Sequence, residues 1–569
     1  MASVSRWRLG RFEVISEAGV VAAKTPLAAE FGAKVLQNGG NAVDAAVVTA
    51  AVSTVVEPWM NGFGGGGFLV RHESTSGESS VVSFPMVAPL SATPDMFPLS
   101  GGKADSELFG WPGVVGSSNI IGAKSTCVPG TPAGLALALQ KYGTLSFAEA
   151  VNPAIDLARH GYPVSWHTSL EIARDLVNLR KFDATEALFC PDGIVPWSAS
   201  QDNPTLLKQR ELADTLEMMA KEGVRAFYEG PTAQKIVTHL NGLGANFSLD
   251  DFAGYKASIE DALIGTYNGH QVVTTGNGTG GPTLIESLGL LDGFDLSQVP
   301  HNSVESLHLC AQAFAIAFAD RFAYLADPNF VEVPIQALLS DAYLDTRCEE
   351  MHQDRIGNLR AGTREQLGVS HGLTGSMPDY SSGGSTTHLS VIDKDGVAVS
   401  LTQTLLSLWG SRVVVPETGI LMNNGMMWFD PEPGRPNSIE GGKKPLSNMS
   451  PAILTRSGET VAALGASGGR RIMNCVAQIA MNLVDHGLSM QPAVSAPRID
   501  RSTASLYISS RMPQTTVDSL AALGHPVSVR DETLFFGEFA SPACVQRTPN
   551  GELKGGIDPY YYPATARGI

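Results

Sequence analysis

The pattern of apolar and polar residues predicts that the chain begins with a strand and two helices. Apolar residues recur at helical spacing between residues 27 and 36, and Gly39-Gly40 ends this helix. We expect Asn41 to cap the second helix, in which Ala and Val cover every face, so that helix should be buried in a large core. A glycine run at 64–67 then leads into a strand near Phe68, and its backbone can approach another element or a ligand closely.

A helix-rich lobe is predicted over residues 130–345. Its apolar residues repeat with helical period in four segments, 131–142, 149–160, 205–221 and 303–326. Four polar residues lie at the end of the last segment or directly after it, and we expect them to anchor neighbouring loops: Asp320, Arg321, Tyr324 and Asp327.

A change of pattern follows at residues 354–385, where small and polar residues show no period. We expect this segment to be mobile. From 386 to 404 polar and apolar residues alternate around the turn sequence DKDG at 393–396, which predicts a hairpin of two strands.

The remainder predicts strands at 412–424 and 460–465, a helix at 470–487, a short helix near 490–496, and strands to the C-terminus. The sequence GASGG at 465–469 lies between a strand and the long helix. A turn in this position directs unpaired backbone N–H groups at whatever lies over the helix start, which is the arrangement that an oxyanion needs.

Thr386 is the first candidate for chemistry, because a segment of small residues leads directly to a Thr at the start of a strand. Cleavage before this Thr would free an α-amine beside its hydroxyl, and that amine could act as the general base. An ordinary linker followed by a Thr-rich strand remains the alternative interpretation.

Composition excludes several classes of function. The 569 residues carry a formal net charge of −17 without a basic stripe, which argues against nucleic acid. The absence of a long apolar run and of a signal-peptide pattern predicts no membrane association and a cytoplasmic location. The six cysteines are widely spaced, which predicts reduced, buried thiols. The histidines are scattered and predict no metal site. We also expect that the chemistry needs no cofactor.

Several motifs together resemble the γ-glutamyltranspeptidase family. They occur in consistent order from about residue 19 to near the C-terminus: GGNAVDAAVVTAAVSTVVEPWMNGFGGGGFLV, VPGTPAGLALALQKYG, AFADRFAYLADP, TTHLSVIDKDGVAVSLTQT, ETGILMNN, KKPLSNMSP, GASGGRRI and HGLSMQPAVSAPRI. The resemblance implies an α/β fold of the N-terminal nucleophile hydrolase type, a four-layer αββα sandwich with a helix-rich lobe. It also implies a precursor that cleaves itself and an acyl transfer through a Thr, from a small-molecule amide to water or an amine.

The resemblance also assigns roles to individual residues. Thr386 matches the nucleophile, so cleavage would leave a large subunit 1–385 and a small subunit 386–569 as a heterodimer. Thr404 matches the Thr that orients the nucleophile and hydrogen-bonds its new amine. Gly468 and Gly469 match the pair whose backbone N–H groups form the oxyanion hole.

The residues that should bind a γ-glutamyl group depart from the family pattern. Pro85 stands where a carboxylate-binding Arg is expected, and Gly425-Met426-Met427-Trp428 replace a segment that offers Gln and Asp to the substrate amine. Leu406 replaces an Asn, and of two paired serines only Ser447 remains, followed by Asn448. Leu406, Met426, Met427 and Trp428 therefore predict an apolar acyl pocket, and packing of the stretch around Trp428 in the core is the alternative.

Two cations could still keep an acidic substrate, Arg412 and Arg470. Either could bind an acyl group that carries a carboxylate but no α-amine. Cephalosporin-acylase-like and oxamate-amidohydrolase-like members of the superfamily are precedents for such a substrate. The alternative for Arg412 is a structural role, as an ion-paired residue at the end of a strand. Two other functions stay open: ordinary γ-glutamyl transfer from glutathione-like donors, and an uncleaved binding protein of the same fold.

Overall fold

The structure is a computed structural model of the whole chain, and it describes residues 8–101, 111–200, 202–370, 385–534 and 537–569. Of the segment predicted to be mobile, 354–385, residues 371–384 lie outside these ranges. No helix in the described ranges is long and apolar enough to cross a membrane.

The strands of the described residues, in chain order, are β1 (Val14–Ser16), β2 (Gly19–Ala23), β3 (Gly66–Glu73), β4 (Glu78–Phe84), β5 (Tyr162–Pro163), β6 (Leu206–Leu207), β7 (Ser258–Asp261), β8 (Leu263–Tyr267), β9 (His270–Thr274), β10 (Thr387–Asp393), β11 (Val397–Thr404), β12 (Val414–Val415), β13 (Ile420–Leu421), β14 (Ala452–Arg456), β15 (Glu459–Leu464), β16 (Ala466–Ser467), β17 (Ile499–Asp500), β18 (Leu506–Ser509), β19 (Val527–Arg530), β20 (Ser541–Arg547), β21 (Leu553–Ile557) and β22 (Thr565–Gly568).

The α-helices of the same residues are α1 (Pro26–Gln37), α2 (Ala42–Val56), α3 (Thr131–Tyr142), α4 (Phe147–His160), α5 (Trp166–Leu179), α6 (Asp183–Phe189), α7 (Arg210–Glu222), α8 (Arg225–Tyr228), α9 (Pro231–Gly242), α10 (Leu249–Ala253), α11 (Gly281–Asp292), α12 (Val304–Tyr324), α13 (Ile335–Leu338), α14 (Asp341–Glu349), α15 (Arg364–Leu367), α16 (Arg471–Val484), α17 (Met490–Ser495) and α18 (Gln514–Ala522).

Two large antiparallel sheets form the centre of the molecule. One has the strand order β22-β2-β10-β11-β3-β4-β7, and the other has the order β1-β21-β20-β15-β14-β9-β8 with β16 paired to β20. Apolar side chains from both sheets, such as Phe68, Ile392, Ile453 and Val545, meet in a common buried layer. The two sheets therefore pack face to face.

Helices cover the outer face of each sheet. Helices α1, α2 and α3 pack on the sheet that contains β10, while α11, α16 and α17 pack on the other sheet. The four layers are helix, sheet, sheet and helix, so the predicted αββα sandwich is confirmed. Helices α4 to α10 extend from the α2 side as the predicted helix-rich lobe.

Several local predictions are confirmed with small shifts in their bounds. The Asn41 side chain accepts hydrogen bonds from the backbone N–H groups of Val43 and Asp44, and every residue of α2 is buried. The hairpin around DKDG appears as β10 and β11, paired from Thr387 opposite Gln403 to Ile392 opposite Ala398. All six cysteines are free thiols, and five of them are buried.

Other predictions are wrong. The helical lobe is interrupted by β7, β8 and β9, because residues 258–274 alternate in exposure and turn tightly at Asn268-Gly269. The helix predicted from residue 205 begins at Arg210, since residues 206–207 pair with β5 instead. The strand predicted at 412–424 is two short strands, because Glu417 and Gly419 both have positive φ and turn the chain between them.

Candidate active site

Thr386 lies immediately before β10 and is 3% exposed. Its Oγ1 donates a hydrogen bond to the Ser385 carbonyl oxygen at 2.6 Å. That carbonyl group belongs to the peptide bond that joins Ser385 to Thr386. The hydroxyl oxygen is therefore held beside the carbonyl group that it must attack if the chain cleaves itself.

Thr404, the last residue of β11, completes this arrangement. Because Thr387 pairs with Gln403, Thr404 lies beside Thr386 on the neighbouring strand. The Thr404 Oγ1 donates to the Ser385 carbonyl oxygen at 2.7 Å and lies 3.4 Å from the Thr386 Oγ1. It also accepts the backbone N–H of Leu406 at 2.8 Å. Two hydroxyl groups thus polarise one carbonyl, and the second is fixed by the main chain.

Ser385 is anchored on the other side of the same peptide bond. Its Oγ donates to the Trp59 carbonyl oxygen at 2.8 Å, and its backbone N–H donates to the Leu406 carbonyl oxygen at 3.3 Å. Leu406 reaches this position with φ 92°, which strains a residue other than glycine. The backbone around the predicted cleavage point is therefore restrained from several sides.

The glycine run at 64–67 approaches another element rather than leaving an open loop. A side-chain carbon at Gly65 would lie 2.2 Å from the Thr404 carbonyl oxygen, and one at Gly67 would lie 2.4 Å from the Thr402 carbonyl oxygen. Glycine is required here because β3 and the residues before it pass so close to β11. The run supports the strand that carries Thr404.

Gly468 and Gly469 form the turn between β16 and α16, as predicted. Their φ angles are 144° and 63°, which side-chain-bearing residues rarely adopt. A side-chain carbon at Gly468 would lie 2.7 Å from the Ala540 Cα. Strand β16 packs against β10, so the fold brings this turn toward the strand that follows Thr386.

His388 is a buried packing residue at the junction of the two sheets. Its Nδ1 lies 2.8 Å from the Thr402 Oγ1, and its Nε2 lies 3.0 Å from the Ser390 Oγ. Burial lowers the pKa of the imidazole to about 3, so the ring is neutral at physiological pH. A packing and hydrogen-bonding role agrees with these contacts.

The residues predicted to form an apolar acyl pocket are close together in the structure. Leu406, Met426, Met427 and Trp428 belong to one buried apolar cluster. Trp428 is 4% exposed, and its carbonyl oxygen accepts the side-chain N–H of Asn437 at 2.7 Å. The cluster supplies apolar contacts and offers no charged side chain to a zwitterionic substrate.

Ser447 and Asn448 lie on a loop that a buried arginine holds in place. The Arg321 Nη2 donates to the Ser447 carbonyl oxygen at 2.6 Å and to the Asn448 Oδ1 at 3.0 Å. Its Nη1 donates to the Thr279 carbonyl oxygen at 2.6 Å, and burial lowers its pKa to about 9. The predicted loop-anchoring role of Arg321 is therefore what these contacts show.

Arg412 and Arg470 occupy different surroundings. Arg412, with φ 66°, donates from Nε to the Asp175 Oδ2 at 2.7 Å and from Nη1 to the Ser407 Oγ at 3.0 Å. The Arg470 guanidinium is fully buried, lies 5.6 Å from the centre of the Phe322 ring, and has its pKa lowered to about 10 by burial. Asp175 compensates the charge of Arg412, so a role in binding a substrate carboxylate stays a prediction.

One supporting residue was missed by the sequence analysis. The Asn424 side chain accepts the backbone N–H of Ser407 at 3.1 Å and donates to the Ser407 Oγ at 2.5 Å. It thereby fixes the loop that follows Thr404. The only signal in the sequence was its place in the motif ETGILMNN, which does not indicate the partner.

Thr386 lies at the start of a strand between two facing sheets, with Thr404 beside it and a glycine turn nearby. This arrangement defines an N-terminal nucleophile hydrolase. Comparison with known proteins then narrows the class. The family described as Gamma-glutamyltranspeptidase matches residues 28–565. The chain belongs to this family and is an enzyme of its amide-cleaving, acyl-transferring kind.

Individual relatives include glutathione hydrolases and acylases. The chain is 33% identical to the glutathione hydrolase proenzyme of Bacillus subtilis (strain 168), over 90% of this chain and 85% of that protein. It is also 33% identical to the acylase ACY 1 proenzyme of Pseudomonas sp. (strain V22), over 94% and 91%. The cephalosporin acylase of Bacillus halodurans has a similar structure, with a TM-score of 0.84 and 27% identity over 100% of this chain and 99% of that one.

Proposed function

We propose that the chain cleaves itself between Ser385 and Thr386 and then uses Thr386 as the nucleophile of an amidohydrolase or acyltransferase. The observation that carries this proposal is the pair of hydroxyl groups, Thr386 Oγ1 and Thr404 Oγ1, on the Ser385 carbonyl oxygen at 2.6 and 2.7 Å. The products would be a large subunit 1–385 and a small subunit 386–569, which stay together as a heterodimer because β10 pairs with β2 of the large subunit.

Cleavage follows from ordinary acyl chemistry. The Thr386 Oγ1 attacks the Ser385 carbonyl carbon, the C–N bond breaks, and the amide becomes an ester with a free Thr386 amine. Water then hydrolyses the ester, which leaves a carboxylate on Ser385 and the hydroxyl on Thr386. In the mature enzyme the Thr386 amine takes the hydroxyl proton during attack on a substrate amide and returns it to the leaving amine.

The oxyanion of the substrate reaction is assigned to the turn at Gly468 and Gly469. Backbone N–H groups at the start of α16 would stabilise the negative charge that develops on the carbonyl oxygen. Water then releases the acyl group as an acid, whereas an amine acceptor takes it by transfer.

We infer that the preferred acyl group carries a carboxylate but no α-amine. Leu406, Met427 and Trp428 form a buried apolar cluster, and Pro85 lacks the charge that would bind an α-carboxylate. A zwitterionic γ-glutamyl group would lose its hydration there without ionic partners. Arg412, Arg470, Ser447 and Asn448 are the residues that we assign to a distal carboxylate.

Paired chromogenic substrates test this preference. Glutaryl p-nitroanilide and γ-glutamyl p-nitroanilide share the distal carboxylate and differ only in the α-amino group, which the glutaryl compound lacks. We expect the purified wild-type enzyme to have the higher kcat/KM for the glutaryl compound. Thr386→Ala should turn over neither. A clear preference for the γ-glutamyl compound would support the second candidate, ordinary γ-glutamyl transfer, which the likeness to a glutathione hydrolase proenzyme favours.

A cytoplasmic location stays a prediction from the sequence. The partners that we propose are a small-molecule amide and an acceptor, water or an amine.

A further inference from the structure

Glu57 is a fully buried carboxyl group next to the proposed cleavage point. It follows the last residue of α2, and its side chain is 0% exposed. The Oε2 accepts a hydrogen bond from the Thr387 Oγ1 at 2.6 Å, and the Oε1 accepts one from the Tyr561 Oη at 2.7 Å. Thr387 is the residue directly after the nucleophile.

Two residues of one short segment hold both sides of Thr386. Glu57 holds Thr387, and the Trp59 carbonyl oxygen accepts the Ser385 Oγ at 2.8 Å. The residues before and after the nucleophile are therefore fastened to the end of α2, whereas the Thr386 side chain is left to contact the carbonyl group. A fixed backbone on both sides is what a nucleophile needs in order to stay aligned with its target.

The Glu57 carboxylate also joins the two proposed subunits. Glu57 lies before the cleavage point, and both of its hydroxyl donors, on Thr387 and Tyr561, lie after it. The Trp59 Nε1 lies 3.3 Å from the same Tyr561 Oη, and the Lys24 Nζ lies 3.9 Å from the centre of the Tyr561 ring. The contact to Thr387 would therefore persist after cleavage, when Ser385 is no longer bonded to Thr386.

We propose that Glu57 is a positioning residue, which holds Thr386 aligned through Thr387 for attack on the Ser385 carbonyl and later on the substrate. This inference rests on the proposed function of Thr386 as nucleophile. Glu57 acts through another residue and does not contact the reacting atoms.

The protonation state of Glu57 should change how well it holds Thr387. The pKa of this carboxyl is raised to about 7: burial is the main cause and Glu171 of α5 adds to it, whereas the hydroxyl groups of Thr387 and Tyr561 and the charge of Lys24 after β2 act in the opposite direction. The His167 ring of α5 packs against Tyr561 as well, and burial lowers its pKa to about 3, so it is neutral. A carboxylate accepts both hydroxyl groups, but the protonated form loses part of this capacity, so alignment should weaken as the pH falls through about 7.

The rate of precursor cleavage isolates this effect. The Thr386 α-amine does not exist before cleavage, so its titration cannot contribute to the pH profile. We would synthesise wild type and Glu57→Gln in a cell-free system and follow the two fragments by intact mass across the pH range around 7. Glu57→Gln should cleave about tenfold or more slowly above that pH, and its rate should no longer fall on the acid side.

Variants of Thr387 test whether Glu57 acts through that residue. Thr387→Val removes the donor and should reproduce the slow, flat profile of Glu57→Gln, and the double variant should be no slower than either single variant. Thr387→Ser keeps the hydroxyl and should keep the wild-type profile. Losses that multiply in the double variant would contradict the inference.

Glu171→Gln is the matched control for a general loss of stability. Glu171 is also a buried carboxyl group, 2% exposed, but its side chain binds Arg174 and not Thr387. Glu171→Gln should keep the cleavage rate above pH 7 and should still show the fall on the acid side, displaced to lower pH because the Glu171 charge no longer raises the pKa of Glu57. If wild type cleaves and Glu57→Gln cleaves with the same rate and profile, the inference is wrong while the proposed function stands; if wild type does not cleave at all, both are wrong.

Discussion

Replacing Thr404 by Val tests the part of the site that the structure defines in most detail. Val has nearly the same shape as Thr and fits a strand, so the change removes the hydroxyl and little else. The hydroxyl donates to the Ser385 carbonyl oxygen at 2.7 Å and accepts the Leu406 N–H at 2.8 Å. Both contacts are lost together.

The two losses have different consequences. The Ser385 oxygen becomes negatively charged during attack by Thr386, and removing one donor from such an oxygen costs about 2.7–4 kcal/mol, or about 10²–10³ in rate. The Leu406 N–H is left unsatisfied in a buried place, which lowers the free energy of unfolding by about 1–3 kcal/mol. We therefore expect much slower cleavage in a protein that is modestly less stable but still folded.

The assay is the time course of cleavage of freshly synthesised precursor, read by intact mass, together with the thermal unfolding temperature of each variant. Thr404→Ser keeps the hydroxyl and is the matched control, for which we expect cleavage near the wild-type rate. If Thr404→Val cleaves as fast as wild type, the Thr404 hydroxyl does not stabilise the transition state. That result would refute the reasoning from the hydrogen bond to Ser385.

Three further predictions concern the turn, the buried ion pair and the neutral histidine. Gly468→Ala should lower the free energy of unfolding by about 1–3 kcal/mol, because Gly468 has φ 144° and the new carbon would lie 2.7 Å from the Ala540 Cα. Chemical unfolding measures this loss, and the rate of acylation by substrate should fall as well. Asp175→Asn should lower the free energy of unfolding by about 3–5 kcal/mol, because it leaves the Arg412 charge buried without its carboxylate. If the variant unfolds at the same temperature as wild type, the ion pair contributes little to stability. The pKa of His388 is lowered from 6.5 to about 3, so the unfolded chain binds the proton first and the free energy of unfolding should fall as the pH drops from 6.5 toward 3. In calorimetry over this range, His388→Gln should show a shallower decline in stability than wild type. An equal decline would argue against the buried neutral ring.

The parts of the site that are local in sequence could be predicted from it. The DKDG turn and the alternation around it define the β10–β11 hairpin, which places Thr386 and Thr404 side by side at its open end. The strand, glycine turn and helix around Gly468 are likewise contiguous. Short-range patterns carry this information because turn residues and side-chain period act within a few residues of one another.

Contacts between distant segments could not be predicted. The ion pair between Arg412 and Asp175 joins residues 237 positions apart, and nothing local in either segment indicates it. Glu57 appeared only as the end of a helix, and its contacts to Thr387 and Tyr561 depend on how α2 packs beneath β10. Strands β7 to β9 are short and lie between long helical segments, so periodicity alone does not distinguish them, although the Asn268-Gly269 sequence is typical of the turn between β8 and β9.

Intact-mass spectrometry of freshly purified wild type beside Thr386→Ala tests the central claim most directly. We predict two chains in wild type, with masses that place the break between Ser385 and Thr386, and one uncut 60.0 kDa chain in the variant. A single uncut chain in both would contradict the claim, and so would a wild-type break at any other peptide bond.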